Sequence, residues 1–171
     1  ARAAILSIAG PLVPLLIGWV WAYAAPRPDM LVAPDAQTVA IRGGDGLLHF
    51  MRKPKDRFVA RAWLRRDGDG RDIMDAIGDP SIKCDGVGCV MKGAVLVAVS
   101  QKPEALADDC AAAKVVVSAA AAPACKGPAV VIDRDTAMTG QGWRVNLSAE
   151  PSAQSVRGER GVRPWVATPR Q

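Results

Sequence analysis

The chain has 171 residues, 22 Lys or Arg against 17 Asp or Glu, a net charge of +5 and a single histidine. With its apolar start set aside, that is one domain's worth of sequence, large enough for a real core. The mild, dispersed basic excess suits phosphates, anionic lipid or an ordinary solvated surface alike; the lone histidine rules out a histidine-rich metal centre, and any Ser-His-Asp or Cys-His triad has to use it.

From Ala3 to Pro26 no residue is charged. A helix over Ala3–Ala25 is about 35 Å long at roughly 1.5 Å per residue, enough to cross a hydrocarbon layer of about 30 Å. Trp19, Trp21 and Tyr23 cluster near one end, as at lipid headgroups. Residues 1–25 therefore read as a transmembrane helix, and the start at Ala1 reads as a piece of a longer protein. A cleavable export signal ending near Ala22-Tyr23-Ala24 and a buried core helix are the competing readings. The length of the stretch argues against the first, and Pro11 and Pro14 against the second.

Residues 26–147 read as one α/β domain outside the cytoplasm, and 148–171 as a flexible tail. Pro26-Arg27-Pro28-Asp29 is a stiff extended exit, and Met30–Ala33 a short apolar run. Thr38–Arg42 and Leu47–Met51 are predicted strands joined by a turn at Gly43-Gly44-Asp45-Gly46. Phe58–Arg66 has helical spacing at Val59, Ala62 and Trp63, then Leu64, with Arg61, Arg65 and Arg66 outside. The helix ends at Asp67-Gly68-Asp69-Gly70, a surface turn that lacks the other ligands of a calcium loop. Val90–Val99 reads as a hairpin feeding a buried strand. A helix follows from Ser100 to Ala112, with Ser100 or Gln101 as cap and Pro103 in its first turn. Lys114–Ser118 is a second buried strand, so a strand–helix–strand unit with parallel strands sits mid-domain. Ala129–Ile132 is a third apolar strand, and Trp143–Leu147 closes the sheet.

The four cysteines, Cys84, Cys89, Cys110 and Cys125, read as two disulfides of an exported domain. Of three possible pairings, Cys84–Cys89 and Cys110–Cys125 is the favoured one. A four-thiolate zinc site is the rival, without its usual C-x2-C pairs. His49 sits in a predicted strand, where a packed role is the default. Asp133 and Asp135 are the best acid–base candidates by position, though capping or pairing with Arg134 is the simpler role. There is no nucleophile elbow and no Walker-type phosphate loop, hence no catalytic constellation.

The order of pieces carries a resemblance. An apolar span runs into Arg27-Pro28-Asp29-Met30-Leu31-Val32, then Thr38–Gly43 and Asp45-Gly46-Leu47. Next come Cys84-Asp85-x-x-Gly88-Cys89, Glu104-Ala105-Leu106-Ala107-x-Asp109-Cys110 and Val115–Ser118. Cys125, Val131-Ile132-Asp133-Arg134 and Arg163-Pro164-Trp165 complete the series. Nearly the whole chain resembles the C-terminal end of ComEC-type competence proteins of alphaproteobacteria, polytopic inner-membrane proteins that form the channel for single-stranded DNA in natural transformation. In many of that family this region is a metallo-β-lactamase-like domain, proposed as a nuclease, with a histidine-rich metal signature. The strand Val115–Ser118 resembles the one before the family's His-His pair, but Ala119-Ala120 follow it here.

The resemblance implies a transmembrane helix followed by a small mixed α/β domain, a reduced, disulfide-braced version of the metallo-β-lactamase-like domain with no metal or other cofactor. It implies a non-catalytic periplasmic domain at the bacterial inner membrane, attached to a DNA-uptake channel. Its partners would be single-stranded DNA, membrane lipid, the upstream channel part of the same protein and other competence components. Arg61, Arg65 and Arg66 are the candidates for phosphate contact, since Arg offers forked hydrogen bonds to phosphate oxygens. The alternatives are a metal-dependent nuclease using Asp133, Asp135 and His49, and a generic membrane-anchored periplasmic binding module.

Overall fold

The computed structural model describes residues 13–22, 24 and 27–161. Residues 13–22 are helical (α1). The first sheet has the order β10-β9-β1-β2-β3. It comprises β1 (Met30–Val32), β2 (Val39–Arg42), β3 (Leu48–Phe50), β9 (Trp143–Asn146) and β10 (Ser152–Ser155), antiparallel throughout. The second sheet runs β4-β5-β6-β7-β8. Its strands are β4 (Ile82–Cys84), β5 (Gly88–Lys92), β6 (Leu96–Ser100), β7 (Val115–Ser118) and β8 (Val130–Ile132). The β4-β5-β6 part is antiparallel and the β6-β7-β8 part parallel. The helices are α2 (Arg57–Asp67), α3 (Pro103–Ala112), α4 (Arg134–Gly140) and α5 (Val156–Arg160).

Alternation along the strands creates layers. Met30, Val32, Val39, Ile41 and Val145 of the first sheet share one core with Val97, Val99, Val115, Val117, Val130 and Ile132 of the second. The opposite face of the first sheet, Ala40, Leu48 and Phe50, packs on Ala60 and Leu64 of α2. The opposite face of the second, Ala98 and Val116, packs on Leu106 and Cys110 of α3. The order of layers is therefore α2, first sheet, second sheet, α3. Val115, Val116 and Val117 are all fully buried, because β7 lies between β6 and β8 and is covered on both faces. Each such side chain contributes about 1.5–3 kcal/mol of burial.

Local chemistry sets the helix ends. Asp56 caps α2: its Oδ1 accepts from the backbone N–H groups of Phe58 and Val59 at 2.9 and 3.0 Å. Gly68 ends the helix in a left-handed conformation (φ 78°) that suits glycine. The cap of α3 is Lys102, without a side-chain bond, rather than the expected Ser100 or Gln101.

Three expectations need correction. The transmembrane helix over residues 1–25 is not found: among the described residues no helix is long and apolar enough to cross a membrane. Residues 1–12, 23 and 25 of the expected span lie outside the described ones. The expected architecture of such a span leading into a reduced metallo-β-lactamase-like domain gives way to a small mixed α/β domain with two bridged cysteine pairs. The segment from 148, expected as a flexible tail, carries β10 and α5. Its strand registers on β9, Ser152 opposite Asn146 and Ser155 opposite Trp143, and Ala153 packs against the shared core. Trp165 lies outside the described residues. Finally, β9 closes the first sheet beside β1, away from the parallel strands that precede it in sequence.

Candidate functional site

The predicted phosphate contacts lie on α2. Ala60 and Leu64 turn inward, one helical turn apart, and fix the outer face. Arg57, Arg61 and Arg65 recur every four residues, and all are exposed; at 100° per residue Arg57 lies about 20° from Leu64, and Arg61 and Arg65 turn progressively outward. Arg61 lies 3.9 Å from Asp72, with both side chains 54% exposed, a pair too open to hold it. Arg57 and Arg65 pair with no carboxylate among the described residues. Beside Arg61 and Arg65 on the helix surface stands Phe58, 84% exposed. The sequence reading did not single it out. Its signal was present, since at 100° per residue Phe58 lies 200° from Ala60, on the opposite side of the helix.

Arg66 turns away from these three, toward a cavity of about 740 Å3 between α2, the first sheet and α5. Leu31, Leu48, Val59 and Trp63 form its apolar wall. Trp63 is stacked on Phe50 with ring centroids 6.4 Å apart. The polar wall is mostly committed. Arg42 holds Asp67 in a forked pair at 2.9 and 2.8 Å, and Arg144 reaches Gln154 and Glu159. The structure therefore separates the predicted trio: Arg61 and Arg65 share a face with Phe58, and Arg66 lines the cavity.

The acidic candidates do not converge. Asp133 caps α4, accepting from the N–H of Thr136 at 2.9 Å and from the N–H of Ala122 at 3.0 Å. Burial pushes its carboxyl up, but the donations from Thr136 and Ala122 outweigh this and hold it below the usual carboxylate range. Asp135 is exposed and faces Arg134 at 3.4 Å. His49, 7% exposed, belongs to the other sheet, with Asp45 and the Gly78 carbonyl as its partners.

The cysteines pair as favoured from the sequence, Cys84 with Cys89 and Cys110 with Cys125. Cys84 and Cys89 are direct cross-strand partners in the β4–β5 hairpin. The turn between them is closed by Asp85, whose Oδ1 accepts from the N–H groups of Val87 and Gly88 at 2.8 Å each; those two bonds lower its pKa. Cys110 anchors the end of α3 to the loop before β8. No protein-family model, no curated protein and no solved structure matches the chain.

Proposed function

We propose that the chain is a non-catalytic periplasmic domain of a ComEC-type DNA-uptake protein and that it guides incoming single-stranded DNA along the outer face of α2. The observation that carries this reading is the exposed Phe58 beside Arg61 and Arg65, with the exposed Arg57 next to it in the chain. Single-strand binders combine aromatic faces, on which bases stack, with cations that follow the phosphates. Phe58, 84% exposed, offers such an aromatic face to solvent. The two bridges suit an oxidising compartment such as the periplasm. The ordered motifs from Arg27 to Trp165 supply the link to the channel family.

The test is binding of a labelled single-stranded oligonucleotide to the purified chain between about 50 and 200 mM salt. Three arginine contacts give a log–log slope near −2, at about −0.7 per phosphate neutralised. Replacing both Arg61 and Arg65 with Ala reduces that slope to about −0.7. Phe58→Ala weakens binding by about 1–3 kcal/mol without changing the slope. A flat salt dependence, or variants that bind as the parent does, overturns the reading.

A further inference from the structure

His49, on β3, faces two carboxylates. Its Nε2 lies 2.9 Å from Asp45 Oδ2, on the hairpin turn, and 3.8 Å from Asp79 Oδ2. Asp79 is brought there because residues 76–78 run beside β3: the N–H of Phe50 donates to the Ala76 carbonyl and that of Gly78 to the Phe50 carbonyl. The other ring nitrogen, Nδ1, is 2.8 Å from the Gly78 carbonyl oxygen.

Each ring nitrogen of His49 has a partner, but the groups around Nε2 are all acceptors. A carbonyl only accepts, so the proton of a neutral ring sits on Nδ1. Ionised carboxylates also only accept, so Nε2 then turns a lone pair toward two further acceptors. A positive centre has to lie among them, either a proton on Nε2 or a metal ion. A proton serves Asp45 at 2.9 Å but cannot bridge the 3.8 Å to Asp79. A metal ion serves all three. Zinc at ~2.0–2.2 Å from N and O ligands spaces them about 3.4 Å apart in a tetrahedron, between the two distances seen here. All three ligand atoms lie within 4.8 Å of one another.

Two further features fit. The Nδ1–H bond to a backbone carbonyl is the arrangement that fixes the tautomer of a ligating histidine. Gly43 leaves open the space beside the cluster: a Cβ there would stand 2.8 Å from Asp79 Oδ2, 2.9 Å from Asp45 Oδ1 and 2.9 Å from the His49 ring. Asp79 keeps Oδ2 free for this space, because Ser81 donates its O–H and N–H to Oδ1. The nearby Arg71 is engaged by Asp69 and by the Leu48 carbonyl. We propose that Asp45, His49 and Asp79 form a zinc site, open to solvent through Asp45, that clips the β2–β3 hairpin to the segment entering β4.

Titration calorimetry of the whole chain with zinc chloride tests this, alongside 15N NMR of the imidazole, which is unambiguous because His49 is the single histidine. The expected result is one zinc per chain with a shift of the Nε2 resonance. Asp45→Asn and Asp79→Asn keep the turn hydrogen bonds and weaken zinc at least about tenfold. Gly43→Ala, which retains all three ligands, also weakens it. An absence of binding heat with an unchanged ring signal overturns the proposal. Binding of equal strength in both Asn variants overturns it as well.

Discussion

Single side chains tie the layers together at a few polar points. Arg42 is the clearest: besides its fork on Asp67 it donates to the Gly46 carbonyl at 2.7 Å, with the Arg42 and Asp67 side chains only 14% and 10% exposed. It joins β2 to the last turn of α2, and loss of one partner strands a shielded charge. Arg42→Ala therefore lowers stability by about 3 kcal/mol in denaturant unfolding, against about 0.5 kcal/mol or less for Arg65→Ala on the open face. Equal midpoints for the two variants would contradict this. Asp133 makes a pH-dependent contribution. Its folded pKa lies below the ordinary carboxyl value of 3.8, so its stabilising effect is present above that value and is lost as pH falls through the lower folded value. Asp133→Asn removes that acid-side loss, and its melting temperature falls less steeply than the parent's below about pH 4. The sequence hinted at Asp133 as a cap through its place at a strand end. It did not reveal the Arg42 fork, because the partner lies 25 residues away.

Among elements, the ones legible in the sequence are those whose pattern is local. The β2–β3 hairpin shows itself through Gly43-Gly44-Asp45-Gly46, and β6-α3-β7 through two apolar runs around a Pro103-started helix. The elements that escaped are short and polar. Ile82–Cys84 is a strand because the hairpin bridge holds it opposite β5, and Arg134–Gly140 is a helix because Asp133 caps it; neither has an apolar period to read. The two bridges act at this scale. Chain-entropy bookkeeping assigns about 3 kcal/mol to Cys110–Cys125, which spans 15 residues, and about 2 kcal/mol to Cys84–Cys89, which spans 5. Double replacement of each pair by Ala is expected to destabilise in that order in urea. The reverse order would mean that the short hairpin, and not the α3 tether, limits unfolding.

The whole molecule depends on a choice no local pattern encodes, namely which sheet each strand joins. Alternation in Trp143–Leu147 predicts a strand, but both sheets offer it an edge. It joins β1, more than a hundred residues earlier, where Val32 faces Trp143 and Met30 faces Val145. Asp29 Oδ2 accepts from the Leu147 N–H at 2.8 Å and locks the junction across 118 residues. The following segment is then no longer a free end. It covers the outer edge of β9 with β10, packs Ala153 on the shared core and places Val156 beside Gly142. Ser155 caps α5 by accepting from the Gly158 N–H at 3.0 Å, so strand and helix are fixed together. Truncation after Leu147 tests whether this closure supports the fold. A dispensable tail would leave the melting temperature unchanged. An integral strand, with several backbone bonds at about 1 kcal/mol each, lowers stability by about 2 kcal/mol or more and the melting temperature by about 5 °C or more. The bare β9 edge left behind would also promote self-association, detectable by sedimentation at rising concentration.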